Sequence, residues 1–339
     1  MKFARRLDAL QQRYPAMGFP IAVAYKFLDD QGVYLAALIA YYGFISLFPL
    51  LLLLSTVLGF VLSGHPELQQ DIIDSAVSQF PVIGADLADP HRIGGGVTGL
   101  VIGLVGALYG GLGVALACQN AMNTAWSVPR NMRPDPIRGR LRGLLLLGTI
   151  GLAILGTAAV AGIGAATHLS GSFTVLLMLA AIAINSVIFV LAFRLATARP
   201  LSVADVAPGA VAAAVLWQVL QSFGAYYVSK VVSTASVTNG VFAVVLGLLA
   251  FLFLAAAAVV MCVEINVVRV DRLHPRALLV PFTDKAELVD GDKRTFTDQA
   301  KAQRAVPRQG IHVTFDELSG TMDESAPTDE SAPTSKEEP

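Results

Sequence analysis

Charge is scarce in this chain: 14% of its 339 residues are Asp, Glu, Lys or Arg, where a soluble domain carries about 25%. That shortage excludes an ordinary water-facing surface over most of the length. Cysteine is nearly missing as well. Cys118 and Cys262 stand alone, so no disulfide framework is legible. The five histidines, His65, His91, His168, His274 and His312, are scattered, with no two at metal-ligand spacing. No Walker or nucleophile-elbow pattern occurs. A net charge of −1 gives no electrostatic reason to expect nucleic acid as a partner. The expectation is therefore no catalytic residue, no metal, no cofactor and no enzyme.

What the chain has in abundance is apolar sequence, 55% of residues, gathered into long charge-free runs. A bilayer core about 30 Å thick needs roughly 20 apolar residues in a helix. Six runs meet that length: 32–62, 94–117, 143–166, 173–193, 206–226 and 240–263. The third and fourth come from one stretch between Arg142 and Arg194, divided by the polar THLSGS at 167–172. In lipid each backbone group must be satisfied within its own segment, so these runs are helices. The predicted fold class is all-α, a polytopic membrane bundle of six transmembrane helices. The predicted domains are an interfacial N-terminal segment 1–31, the helical domain 32–268, and a largely disordered tail 269–339.

The basic residues fix an expected orientation. Twenty-two of the 24 Lys and Arg fall in the N-terminal segment, the second-to-third and fourth-to-fifth connections, and the tail; Arg92 and Lys230 occupy the other side. The positive-inside rule places both termini in the cytoplasm. Two segments read as helices beside the bundle: 67–80, with Leu68, Ile72, Ala76 and Phe80 at helical spacing, and 20–30 at the inner interface. The tail repeats DESAPT at 323–328 and 329–334, too poor in apolar residues to order itself.

The second span is rich in glycine: Gly95, Gly99, Gly103, Gly106, Gly110 and Gly113. Small residues at this spacing let helix backbones approach closely. Packing within the chain and packing against a second copy are both compatible with the stripe. Membrane lipids and a homo-oligomer through this span are thus the partners to expect.

Polar groups inside spans carry a desolvation cost and mark the candidate site. They are Tyr41, Tyr42 and Ser46 ahead of Pro49; Asn120, Asn123 and Trp126 at the end of the second span; Arg194; Trp217 and Gln218; and Glu264 with Asn266. Two roles compete, structural anchoring near hydrated helix ends and the lining of a cytoplasm-facing cavity. Glu264 is expected to pair with Arg194 or, second, Arg142, with Asn266 helping to satisfy the site.

Three stretches carry a resemblance to a known family. AALIAYYGFISLFPLLLLL at 36–54, ALACQNAMNTAWSVPRN at 115–131, and APGAVAAAVLWQVLQSFGAYYV at 207–228 with VEIN at 263–266 resemble the YihY/BrkB membrane proteins, once labelled ribonuclease BN. The resemblance implies a six-helix protein of the bacterial inner membrane and supplies no activity. Passage or handling of a small solute or lipid is the leading expectation, with a non-transporting scaffold as its competitor and an enzyme third.

Overall fold

The computed structural model describes residues 8, 11, 13–61, 96–166, 171–227, 237–278, 280 and 287–315. These residues form α1 (Pro15–Asp29), α2 (Gly32–Val61), α3 (Gly96–Ala125), α4 (Pro136–Ala166), α5 (Gly171–Ala196), α6 (Val203–Tyr227), α7 (Val237–Val270) and α8 (Asp290–Ala302). The shortest of α2–α7 has 25 residues, about 37 Å of helix. Five of the six carry apolar stretches long enough to cross a membrane: Gly32–Leu53, Thr98–Ala125, Val175–Ala196, Val203–Gly224 and Val245–Val270. The sixth, α4, contains the charge-free run 143–166. This is the six-helix architecture that hydropathy predicts. The expected outer helix at 67–80, the first four residues of the expected break at 167–172 and the DESAPT repeats lie outside the described residues; Gly171 and Ser172, the end of that break, already belong to α5.

The helices overrun the apolar runs at one end of the bundle. α3 continues to Ala125, α4 begins at Pro136, and α7 continues to Val270. Hydropathy reports the thickness of the lipid slab, whereas the hydrogen-bond ladder stops only where the chain turns. Two of those turns are Schellman caps. Val128 N donates to Asn123 O at 2.8 Å around Ser127 (φ 48°), and Leu273 N donates to Val268 O at 3.1 Å around Arg272 (φ 55°).

Each long helix packs on its sequence neighbours, and α7 returns to α2, closing a ring; α1 lies against α7 and α2. The α2–α3 contact is the most extensive and rests on the glycine stripe. A Cβ added at Gly110 would stand 2.6 Å from the Cα of Ser46, and one at Gly103 would stand 2.9 Å from the backbone N of Leu53. Gly106 and Gly113 face Pro49 and Tyr42 in the same way. Those four glycines serve a contact within the chain, so this part of the stripe is not free for a second copy.

The closely packed core gathers at the same end, from Ala22 and Phe27 of α1 through Ala121, Trp126, Phe193, Val206 and Val263 to Leu273. Elsewhere large apolar side chains point outward, among them Val101, Ile102 and Val105 of α3 and Val175, Leu176 and Leu179 of α5. Apolar surface on that scale has no place in water and suits a bilayer.

The segment after α7 departs from expectation. The tail is not unstructured throughout: residues 290–302 form α8, although their sequence has few apolar side chains. Its anchor is a buried charge. Arg276, 1% exposed, donates from Nε to Asp292 Oδ1 at 2.5 Å, and Asp292 Oδ2 accepts from Ala277 N (3.0 Å) and Val289 N (3.2 Å). A carboxylate three residues into a helix that also accepts the preceding backbone N–H is a strong start signal.

Candidate functional site at the packed end of the bundle

The residues that meet here come from α1, α3, α6, α7 and α8. Lys26 sits on the face of α1 turned to the bundle and is 1% exposed. Its ammonium pairs with Asp30 one turn later, donates to Ala125 O at 3.0 Å, and stands 3.8 Å from Glu264 Oε2. Asp30 accepts a hydrogen bond from Gln299 Nε2 of α8 at 2.9 Å. Glu264 is 0% exposed, and neither carboxyl oxygen has a hydrogen-bond partner among the described residues. One ammonium thus serves two buried carboxylates. Burial alone would lower the pKa of Lys26; Glu264 and then Asp30 outweigh it and hold the group above its usual 10.5.

A second cluster adjoins the first. Arg276 donates to Asp29 Oδ2 at 2.8 Å and to Thr295 Oγ1 at 3.3 Å besides its bond to Asp292. The ring of Phe296 lies 5.5 Å from its guanidinium carbon. Burial pushes the Asp29 carboxyl up despite the neighbouring Arg276. The third pair is bidentate: Arg199 meets both oxygens of Asp271 at 2.9 Å and stacks 5.1 Å over Trp126. Its hydrogen bonds to Asp271 raise the pKa of Arg199.

The polar residues singled out from the sequence divide into three groups. Asn123, Trp126, Glu264 and Asn266 are buried at this end. Asn123 Oδ1 accepts from Ala198 N at 2.8 Å; Asn266 spans α7 and α6, accepting from Gly209 N at 2.8 Å and donating to Val206 O at 3.1 Å. Tyr42, Ser46 and Pro49 belong to the α2–α3 contact, and Ser46 Oγ donates to Gly43 O at 2.9 Å. Tyr41 is exposed, its ring edge-on to Tyr42. Asn120 is exposed and accepts from Arg133. Trp217 lies 6.1 Å from Phe251, ring to ring, and Gln218 is half-buried beside it. These side chains do not converge on one polar cavity.

The expected Glu264–Arg194 pair does not form. Arg194 is exposed and donates from Nε to Leu201 O at 2.9 Å, closing the turn between α5 and α6. Lys26 takes its place because α1 folds back onto α7, a contact invisible to any count of spans. The signal that could have found it is KFLDD at 26–30, a Lys and an Asp at i,i+4 in an otherwise apolar segment.

With the geometry in place, comparison with known proteins decides the kinship. Residues 23–281 match the family described as Virulence factor BrkB. The chain belongs to that family. The BrkB match takes in Lys26, Arg199, Glu264 and Arg276 but ends before α8, so Asp292 and Gln299 come from outside it. A curated relative is the inner membrane protein YhjD of Escherichia coli (strain K12), 34% identical over 109 residues, which is 30% of this chain and 31% of that protein. No solved structure matches the BrkB chain.

One more feature lies along the bundle. A groove of about 330 Å³ opens between α6 and α7, lined by Leu220, Phe223, Leu246, Gly247, Ala250, Phe251 and Leu254. Small residues on α7, Gly247 and Ala250, leave the space that Phe223 and Phe251 border. The described residues contain no cluster of three or more His, Cys, Asp or Glu able to hold a metal.

Proposed function

We propose that this BrkB-family chain is an inner membrane protein, with both termini in the cytoplasm, that holds a lipid acyl chain or a comparably apolar small solute and catalyses no reaction. The groove between α6 and α7 carries this reading. It is lined by apolar side chains, it is of the size of small-ligand sites, and it lies on helices whose outer faces suit a bilayer. The relative's description as an inner membrane protein supports the location. A scaffold without transport is the second reading, favoured by the packed end, where Asn123, Asn266 and Arg276 are spent on internal hydrogen bonds.

Filling the groove tests the leading reading. Ala250→Trp is expected to cut crosslinking of a photoactivatable phospholipid to α6 and α7 several-fold while the purified protein melts as before. Undiminished crosslinking with a folded variant would remove the groove from the function. Orientation is tested separately by single-cysteine labelling of intact cells in a cysteine-free background. Positions within 64–92 and 229–238 should react with an impermeant reagent and those within 129–140 should not, as the distribution of Lys and Arg demands. Labelling at 129–140 would reverse the topology.

A further inference from the structure

We propose that the connection from α3 into the first turns of α4 is a binding site for the headgroup of an anionic phospholipid. Residues 127–145 hold five arginines and one aspartate. Asp135 is already engaged: its Oδ1 accepts from Ile137 N (3.1 Å) and Arg138 N (2.8 Å), and its Oδ2 lies 3.4 Å from Arg138 Nε. Among the described residues Arg130, Arg140 and Arg142 have no carboxylate within ion-pair distance. Arg133 is held in place by Val128 O (3.2 Å) and Asn120 Oδ1 (3.0 Å). Burial lowers its pKa, and the neighbouring Arg130 lowers it further. Five arginines against one carboxylate give this connection a net positive charge that attracts anions.

The apolar surface selects the source of that anion. α4 docks on α3 through Gly139 and Gly143, with Gln119 Nε2 donating to Gly139 O at 3.0 Å and Leu146 buried. Ile137, Leu141, Leu144 and Leu145 are therefore left outward as a stripe. At helical spacing Arg138 and Arg142 flank that stripe on one side and Arg140 on the other. Basic heads on both sides of an apolar track fit a phosphate headgroup above its acyl chains; a free phosphate would leave the track unused.

The test uses the full chain in mixed micelles and reads its melting temperature. Phosphatidylglycerol is expected to raise it by about 3–6 °C at saturating lipid, and phosphatidylcholine or free glycerol phosphate should not. The variant Arg130→Gln/Arg138→Gln/Arg140→Gln should lose more than half of the shift while melting normally without added lipid. Should the triple variant fail to fold, Arg140→Gln alone should show a reduced shift. An equal shift in the folded variant, no shift with phosphatidylglycerol, or the same shift with glycerol phosphate would each overturn the proposal.

Discussion

Arg276→Gln is expected to lower the stability of the detergent-solubilised protein by about 3–5 kcal/mol, the usual result of removing one member of a buried ion pair. The guanidinium is 1% exposed and neutralises Asp292, itself 0% exposed, together with Asp29. Its loss strands a carboxylate inside the fold and removes the anchor of α8. A chain ending at residue 289 should fall by a comparable amount, because Arg276 then loses Asp292 and Asp30 loses Gln299. Arg308→Gln, at an exposed position, is the control and should melt like the parent. Should a chain ending at 289 melt as the full chain does, α8 contributes nothing to the bundle.

The second large effect belongs to Lys26, and its form matters as much as its size. Lys26→Met leaves Asp30 and Glu264 together in a dry site without a cation and should likewise cost about 3–5 kcal/mol. Glu264→Gln should cost clearly less, since Lys26 keeps Asp30 as its partner and the second buried carboxylate loses its charge. The double variant Lys26→Met/Glu264→Gln should recover part of the loss seen in Lys26→Met. Equal losses for the two single variants would mean that Glu264, and not Asp30, is the true partner. The pH dependence has a definite sign. The pKa of Lys26 is raised in the folded state, so its contribution is fully present below 10.5 and fades only as the pH climbs through the higher folded value. Thermal melts of the native chain and of Lys26→Met should converge above pH 10.5 and stay apart at neutral pH.

The bundle was legible because membrane helices announce themselves by length and apolarity, and each of the six runs became a helix within a few residues of its expected centre. The glycine spacing of α3 was equally informative, and the structure adds which neighbour it serves. Charge pairing was not legible. Glu264 stood out as an acid at the edge of a span, but its partner is 238 positions away on α1, and the segment's reading as an interfacial helix did not say which span it docks on. α8 was missed for a related reason. Its order rests on one arginine and one aspartate rather than on a periodic apolar face, so composition read it as solvated chain. Asn123 and Asn266 stood out as polar groups at the ends of apolar runs. Their explanation is backbone hydrogen bonding between helices, a use that residue type alone does not separate from the lining of a cavity.

The closure of α7 onto α2 and α1 also sets a timetable for biosynthesis. Lys26 emerges from the ribosome long before Glu264, Arg276 or Gln299 exist. At about 5–20 residues per second the interval is roughly 10–50 s. For that time the first helix carries an ammonium whose distant counter-ion is unmade, while the inward faces of the early spans await their last neighbour. The ring can close only with the arrival of the final span and the short segment behind it. A chain stopped before residue 264 would lack Glu264 and Arg276 alike, leaving Lys26 with Asp30 as its carboxylate partner.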